Sequence, residues 1–123
     1  CRVSREDRSF PYQVDHIIAE KHNGPSTLDN LCWSCYLCNG YKGSDIGSID
    51  WEGDAGLVPL FNPRIQVWDN HFQLDIDTAL LYGITPAGRV TVTLLRLNVE
   101  EHIRARRLLL QLGRYPCQQS TGG

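Results

Sequence analysis

An acid and a histidine stand side by side in VDHIIAEKHNG, residues 14–24, in a stretch that otherwise has the character of a strand. The carboxylate of Asp15 is a hard oxygen ligand of the kind that Mg²⁺ and Mn²⁺ prefer. An imidazole titrates near neutrality, which makes His16 a natural general base. The two neighbours therefore offer a cation ligand and a proton acceptor, the components of metal-assisted hydrolysis.

Two asparagines in LDNLCWSCYLCNGYKG (28–43), Asn30 and Asn39, extend this set of polar candidates. Asn39 offers a neutral amide oxygen and can meet Asp15 on one ion that keeps positions open for water and phosphate oxygens. His16 would then deprotonate the attacking water of a phosphodiester cleavage, while the cation stabilises the added charge. Taken singly, each of these residues is also an ordinary turn, cap or surface residue.

Strand geometry limits how Asp15 and His16 can act together. Neighbouring side chains of a regular strand point to opposite faces. The pair can serve one site only if the strand ends or twists at this point, or if the two side chains flank the phosphate.

The elements that must hold these residues are predicted in the order strand, loop, strand, helix. The first three stretches are FPYQVDHIIA (10–19), EKHNGPSTLDN (20–30) and LCWSC (31–35). A short helix then carries Cys38, Asn39 and Lys42, and Gly43 ends it. The sequence therefore predicts a ββα unit over about residues 10–43.

The remainder, about residues 44–123, is predicted as an extension of that unit within a single domain of residues 1–123. Residues 43–66 are rich in Gly, Asp and Pro, and we expect them to be irregular, with solvated acids (Asp45, Asp50, Glu52 and Asp54). HFQLDI and ALLYGI are expected to pair as a small hairpin. TPAGRVTVTLLRLN (85–98) mixes strand-forming Val and Thr with a Thr-Pro helix-start signal, and we favour a helix.

The last element is predicted as a helix running from a cap at Asn98 to about Leu112. Glu101 holds the capping-box position, and Gly113 follows the helix end. Three leucines are expected to face a core (Leu108, Leu109 and Leu112), and three arginines to stay in water (Arg104, Arg106 and Arg107). The expected fold class is α+β: a ββα core with irregular loops, a small hairpin and C-terminal helices.

Composition is that of an ordinary globular chain of 123 residues, and its start at Cys1 suggests a piece of a longer protein. Net charge is −2, but residues 1–42, 43–80 and 81–123 carry 0, −6 and +4. The last segment can supply the local basic surface that a polyanion needs, or only a salt-bridged face. No apolar run approaches the roughly 20 residues of a membrane span, and we expect a cytoplasmic location.

Five cysteines occur, at positions 1, 32, 35, 38 and 117. An odd number, with three members close together, suits a metal site in a reducing compartment better than a disulfide framework. The run from Cys32 through Cys35 to Cys38 also has half the pattern of an iron–sulfur site, which would need a fourth cysteine nearby.

The joint pattern D-H, then L-D-N-L, then C-x-x-C-N-x-x-K resembles the HNH endonuclease family, the ββα-metal or His-Me finger nucleases. The resemblance covers residues 14–43, about a quarter of the chain. FPYQVDHI, GLVPLFNPR and GITPAGR also look like a bacterial branch of that family. The resemblance implies an enzyme that hydrolyses phosphodiester bonds of DNA with Mg²⁺ or Mn²⁺ and without an organic cofactor.

Family roles carry over onto the matching positions as implications of that resemblance. Asp15 looks like the metal-binding acid, and His16 looks like the general base. Asn30 is similar to the central Asn, which ties the loop to the strand and so orients the histidine. Asn39 stands in the place of the final His, so the implied ligand changes from nitrogen to oxygen, which suits Mg²⁺ or Mn²⁺.

Many members of the family also hold the ββα unit with a structural zinc bound by two C-x-x-C pairs. Cys35 and Cys38 match the second pair, and Cys1 is placed like the second member of the first pair, whose partner would lie upstream. Structural zinc takes four ligands. The resemblance thus implies Zn²⁺ on Cys1, Cys35 and Cys38, with Cys32 or a water as the fourth ligand.

Three basic residues are candidates for contact with the substrate. Lys42, one turn beyond Asn39, can contact a phosphate or be solvated, and Arg64 and Arg89 are candidates for contacts with the DNA backbone. Nothing resembles a motif that reads the major groove, so sequence specificity is not predicted.

One active site per chain implies that a monomer or weak dimer cuts one strand per binding event, so nicking is the expected outcome. The alternative function is a zinc-binding module without catalysis that binds nucleic acid or protein and keeps only the ββα shape. His71 and His102 are expected to be structural or surface residues.

Overall fold

The computed structural model of the protein describes residues 1–4, 7 and 11–116. Within these residues the chain forms three α-helices and six strands, which pair as three two-stranded antiparallel sheets. The α+β class predicted from the sequence is therefore confirmed. None of the helices in this part of the chain is long and apolar enough to cross a membrane.

The first two strands and the first helix form the predicted ββα unit. Strand β1 (Tyr12–His16) pairs with β2 (Leu31–Cys35), and Asp15 lies opposite Cys32. Helix α1 (Tyr36–Lys42) follows β2 directly and packs against both strands. The direct passage from β2 into α1 brings polar residues of β1 and α1 into one interface.

Both ends of α1 have local causes. The thiol of Cys35 caps the first turn by accepting a hydrogen bond from the backbone N–H of Cys38 at 3.4 Å. Gly43 adopts a φ of +53°, a left-handed conformation that glycine tolerates, and ends the helix. Both signals are readable from the residues that flank the helix. The predicted short helix ending before Gly43 is confirmed.

The loop from β1 to β2 contains two single turns of 3₁₀ helix, Glu20–His22 and Leu28–Asn30. A Cβ atom at Gly24 would lie 1.7 Å from the carbonyl oxygen of Ile18. Only glycine allows the backbone to approach so closely at this point. The loop therefore closes tightly and returns the chain to the end of β1.

Residues 43–66 are less irregular than their composition predicts. Strands β3 (Gly47–Asp50) and β4 (Gly56–Pro59) form an antiparallel hairpin against which a helix of the extension packs. The prediction of a solvated acid is wrong for Asp50, which is 4 % exposed and pairs with Arg89. The partners are 39 residues apart in sequence, so no local pattern reveals the pair.

The predicted hairpin of HFQLDI and ALLYGI and the predicted helix after it are both confirmed. Strand β5 (Phe72–Leu74) pairs with β6 (Leu81–Gly83), and α2 (Pro86–Leu94) packs against β6. The hydroxyl of Thr85 caps α2 by accepting a hydrogen bond from the N–H of Gly88 at 3.1 Å. The satisfied cap and the packed face outweigh the strand propensity of the Val and Thr residues.

Helix α3 (Glu100–Gln111) has close to the predicted extent, and Gly113 follows it with a φ of +69°. The prediction of its inward face is wrong for Leu108 and Leu112, which are exposed. The buried residues of the helix are spaced four and three apart: His102, Arg106 and Leu109. This spacing marks one face of a helix.

Asn98 and Arg106 both depart from the predictions, because they bind each other and the backbone. The N-cap of α3 is Val99, while Asn98 uses its side chain on the N–H and carbonyl of Leu81 at 2.9 and 2.7 Å. Arg106 is 1 % exposed. Its guanidinium donates to the carbonyl oxygens of Ala79 and Leu97 and to Oδ1 of Asn98, at 2.7 to 2.9 Å.

A hydrophobic core joins the ββα unit to the extension. Its buried members come from both parts of the chain: Cys35, Cys38, Phe72, Leu81 and Leu97. Trp68 stacks on Phe72 with ring centroids 3.9 Å apart. The side chains that the ββα unit buries in this core include two of the predicted zinc ligands.

Candidate active site and metal centre

Asp15 is buried, although it stands one residue before the end of β1. Its side chain is 10 % exposed, and one carboxylate oxygen lies 3.2 Å from the ammonium of Lys42. The same ammonium donates to the carbonyl oxygen of His16 at 2.9 Å. A lysine of α1 therefore supplies the positive charge that this carboxylate needs away from water.

His16 is the last residue of β1, and its ring contacts the loop. Nε2 lies 2.9 Å from the hydroxyl of Ser26 and 3.5 Å from a carboxylate oxygen of Glu20, and 25 % of the side chain is exposed. The strand ends at this residue, with the Asp15 side chain against α1 and the His16 ring at the loop. This is one of the arrangements in which two neighbours of a strand can flank a single phosphate.

Asn30 holds the loop to the end of β1. Its Oδ1 accepts from the backbone N–H of Ile18 at 2.8 Å, and its Nδ2 donates to the carbonyl oxygens of Ile18 and Pro25 at 2.9 and 2.8 Å. Pro25 immediately precedes Ser26, whose hydroxyl contacts the His16 ring. The buried amide therefore braces the segment that lies against the candidate base.

Asn39 lies on the side of α1 that faces β1. Its Nδ2 donates to Oε1 of Gln13, and Gln13 shares a strand face with Asp15 because the two are separated by one residue. Asn39 and Asp15 thus belong to the same helix–strand interface. One carboxylate and one amide oxygen form a hard donor set, which fits Mg²⁺ or Mn²⁺.

Two of the three basic candidates for substrate contact are engaged with acids. Lys42 is buried against Asp15. Arg89 donates two hydrogen bonds to Asp50, at 2.7 and 3.0 Å. These bonds hold the pKa of the Asp50 carboxyl below its usual value. The carboxylate therefore stays ionised and bound to Arg89 near neutral pH.

Arg64 lies at the strand end that carries the candidate base. It is exposed, and its Nε donates to the carbonyl oxygen of Leu31 at 2.8 Å. Leu31 is the residue paired with His16 across the two strands. Arg64 is therefore the basic candidate best placed to meet a phosphate near His16.

Three thiols gather where the first residue meets the start of α1. The sulfur atoms of Cys1, Cys35 and Cys38 lie within 4.8 Å of one another, and the last two are buried. In tetrahedral zinc sites with Zn–S bonds near 2.3 Å, two sulfurs are about 3.8 Å apart. The thiols therefore fit the zinc ligands that the family resemblance implies.

Cys32 lies on the other side of β2, opposite Asp15. Burial, together with the negative charge of Asp15, raises the pKa of its thiol to about 11. Cys32 thus stays protonated near neutral pH and borders the Asp15–Lys42 pair, outside the group of three thiols found among the described residues. Cys117 lies outside those residues.

His102 of α3 is buried beside the thiols, which agrees with the structural alternative of its prediction and not with the surface one. Nε2 lies 3.8 Å from Sγ of Cys35 and 3.7 Å from Sγ of Cys38. More than 60 residues separate it from either cysteine, so no spacing motif links them. The available signal was the helical stripe that His102 shares with Arg106 and Leu109.

The thiols and the imidazole hold their protons unequally. The hydrogen bond between the two side chains raises the pKa of Cys35 and lowers that of Cys38. Burial on its own would lower the pKa of His102, but hydrogen bonds to Cys35 and Cys38 raise it to about 9. The cluster thus holds a thiolate beside an imidazolium, and metal binding to such a cluster releases protons.

A hairpin followed directly by a helix, with an acid and a histidine at the end of the first strand, defines a site of the ββα class. Residues 4–45 match the family model described as HNH endonuclease. The match spans β1, the loop, β2 and α1, so it confirms the resemblance found in the sequence and indicates a nuclease, a hydrolase, in general terms. No curated protein and no solved structure matches the chain.

Proposed function

We propose that this protein is a metal-dependent endonuclease that hydrolyses phosphodiester bonds of DNA and nicks one strand per binding event. The observation that carries the proposal is the end of β1, where a buried carboxylate and a partly exposed imidazole stand next to each other inside the segment that matches the family. The charges and hydrogen bonds around each side chain suit the role proposed for it.

His16 is the proposed general base. Its Nε2 takes a proton from water as the water oxygen bonds to phosphorus and the bond from phosphorus to the leaving oxygen breaks. The Glu20 carboxylate, 3.5 Å from Nε2, stabilises the imidazolium that forms. The Ser26 hydroxyl at 2.9 Å orients the ring, and Asn30 holds the Ser26 segment in place.

Asp15 and Asn39 are the proposed ligands of the catalytic cation. A divalent ion held there supplies positive charge to the transition state and to the leaving oxygen. Lys42 already neutralises Asp15 in the described structure. The lysine therefore holds the carboxylate in place when no cation is bound, and a cation competes with it for the same charge.

DNA is the proposed substrate, held through its backbone. Arg64 is exposed beside the strand end and can contact a phosphate, while Arg89 is largely occupied by Asp50. Contacts of this kind position a duplex without reading its sequence. A single site then leads to nicking by a monomer, and a double-strand break requires a weak dimer or two encounters.

The experiment is conversion of supercoiled plasmid to open circle with Mg²⁺, with Mn²⁺ and with EDTA. We expect cleavage with either cation, no cleavage in EDTA, and a rate about 10² to 10⁴ times lower for His16→Ala, the range that general-base catalysis contributes. The matched control is His22→Ala, because His22 is an exposed histidine of the same loop. This control should cleave at the wild-type rate.

Equal conversion by the wild type and His16→Ala would refute the assignment of His16. The thiol cluster is the observation that favours the second candidate, a zinc module that binds nucleic acid or protein without cleaving. That candidate is supported if the purified protein contains zinc and binds DNA but converts no plasmid with either cation.

A further inference from the structure

We propose that a cleft beside the end of β1 holds the backbone of the DNA strand next to the scissile phosphate, through the guanidinium groups of Arg2 and Arg64. The proposal rests on the proposed function, because it takes DNA as the ligand. Both arginines lie outside the segment that matches the family, residues 4–45. The cleft therefore adds a binding site to the ββα unit and makes Arg2 a second contact for the strand.

The cleft is lined by Arg2 and by the seven consecutive residues 63–69, and its volume is about 350 Å³. This volume lies at the lower end of the range of about 300 to 1,000 Å³ that is usual for ligand sites. Arg64 connects the cleft to the candidate base, because its Nε donates to the carbonyl oxygen of Leu31, and Leu31 pairs with His16. A strand that presents a phosphate to His16 can therefore continue into the cleft.

The loop that carries Arg64 is held in shape by its own hydrogen bonds. Asn62 accepts from the backbone N–H of Arg64 with its Oδ1, at 2.9 Å, and from the N–H of Gln66 with its carbonyl oxygen, at 3.0 Å. Oε1 of Gln66 accepts in turn from the N–H of Asn62 at 2.7 Å. A group that is positioned before its ligand arrives loses less conformational entropy on binding.

Arg2 is held over an aromatic ring at the other side of the cleft. Its guanidinium carbon lies 5.3 Å from the ring centroid of Trp68, and Trp68 stacks on Phe72 of the core. One guanidinium nitrogen lies 4.0 Å from a carboxylate oxygen of Asp69, whose side chain is 89 % exposed. Because an exposed ion pair is weak, a DNA phosphate can replace Asp69 while the ring keeps the guanidinium in place.

The lining of the cleft matches a nucleotide unit better than a free anion. It carries two guanidinium groups and one carboxylate, and arginine binds phosphate through paired N–H donors. Ile65 and Val67 are 78 % and 61 % exposed. Their apolar surface suits the C–H groups of a deoxyribose, whereas inorganic phosphate would leave it uncovered. Contacts with phosphate and sugar do not read bases, so we expect binding without sequence preference.

Several other arginines of the described residues are engaged elsewhere. Arg89, Arg104 and Arg114 pair with carboxylates, and Arg106 is buried. Arg64 bonds instead to a backbone carbonyl oxygen, which carries no charge to neutralise it. The cleft is therefore a place where positive charge remains available to a polyanion.

The test is the affinity of the full chain for a short duplex labelled with fluorescein, measured by anisotropy in EDTA so that cleavage does not interfere. Arg2→Gln and Arg64→Gln should each weaken binding about five- to tenfold at about 0.1 M salt, the effect of losing one phosphate contact. The plot of log affinity against log salt should also become less steep by about one. Arg107→Gln, at an exposed arginine of α3, is the matched control and should bind as the wild type does. Unchanged affinity in both cleft variants, or an equal loss in the control, would overturn the proposal.

A substitution of Asp69 tests the cleft with the opposite sign. Asp69→Asn should bind the duplex about two- to fivefold more tightly, because it removes the exposed charge that competes for Arg2. A gain in affinity cannot come from a folding defect, so this variant keeps the test decisive even if Arg2→Gln is less stable. Asp54→Asn, at an exposed acid between β3 and β4, should bind as the wild type does. Unchanged or weaker binding by Asp69→Asn would contradict the role of the cleft.

Plasmid nicking separates this proposal from the proposed function. If the wild type binds the duplex but nicks no plasmid with Mg²⁺ or Mn²⁺, the nuclease is refuted, and weaker binding by the cleft variants still supports the cleft. If the wild type nicks and the cleft variants bind DNA as tightly as it does, the cleft alone is refuted. A wild type that binds no DNA would refute both.

Discussion

Two buried aspartates each face a basic side chain, and the two pairs differ in geometry. Asp15 of the ββα unit meets the ammonium of Lys42 through one contact of 3.2 Å. Asp50 of the extension meets the guanidinium of Arg89 through two hydrogen bonds, of 2.7 and 3.0 Å. Lysine is a compact point charge on a flexible stem, whereas arginine forms a planar fork that fits both carboxylate oxygens.

The difference teaches which of the two acids is available for chemistry. Both Asp50 oxygens are bound by Arg89, and the pair ties β3 to α2. The Asp15 pair uses one carboxylate oxygen, and the lysine divides its donors between that oxygen and a carbonyl of the same strand. We therefore expect Asp15 to exchange one cation for another, while Asp50 serves the fold.

In the extension, we expect substitution of the buried Arg106 to cause the largest loss of stability. Arg106→Ala should lower the free energy of unfolding by about 4 kcal/mol, because it leaves buried carbonyl oxygens without donors. Denaturant unfolding measures this loss. Arg107→Ala is the matched control, since Arg107 is exposed, and it should change stability by less than about 0.5 kcal/mol. Equal effects of the two substitutions would contradict the assignment of Arg106 to the core.

Within the ββα unit, and apart from the residues proposed to take part in catalysis, we expect substitution of Asn30 to have the largest effect. Asn30→Ala removes three hydrogen bonds and should cost about 2 kcal/mol. It should also speed hydrogen exchange at the Ile18 amide and slow plasmid nicking, because the loop that supports the His16 ring loosens. Thr27→Ala, in the exposed part of the same loop, serves as the control. Unchanged exchange at Ile18 in Asn30→Ala would refute the bracing role.

The smallest effect concerns the exchange of cations at Asp15. Lys42→Met removes the competing ammonium, and Mn²⁺ should then bind about five times more tightly, a gain near 1 kcal/mol for one charge close to a site. Calorimetric titration of zinc-loaded protein measures this affinity. Lys21→Met, at an exposed lysine, should leave the affinity unchanged. Weaker Mn²⁺ binding in Lys42→Met would show that the lysine helps to form the site.

The ββα unit was predictable because its signals are local. LCWSC is observed as the strand Leu31–Cys35, and Gly43 ends α1 where a glycine stop is expected. The arrangement of the extension follows instead from distant partners. Asp50 is buried because Arg89 arrives from α2, and Asn98 leaves the predicted cap because its amide satisfies Leu81 and Arg106.

The burial of α3 was partly predictable from its helical period. The four- and three-residue steps through Arg106 mark one face of the helix. A rule that buries every leucine and exposes every arginine does not select this face as the buried one. Arg106 can be buried because three acceptors surround its guanidinium. For His102 the period indicates burial, while only the folded chain places it beside two thiols.

The most direct test of the account compares plasmid nicking by Asp15→Asn and Asp50→Asn with Mn²⁺, at a temperature where both variants are folded. Both substitutions remove one buried negative charge with little change in size. We expect the Asp15→Asn rate to fall at least about 100-fold, as loss of a metal-binding acid predicts. Asp50→Asn should nick at a rate within about threefold of the wild type, because Asp50 takes no part in the proposed reaction and the variant is folded at this temperature. It should melt at a lower temperature, because the substitution weakens a buried ion pair. Wild-type nicking by Asp15→Asn, or equal losses in both variants, would contradict the account.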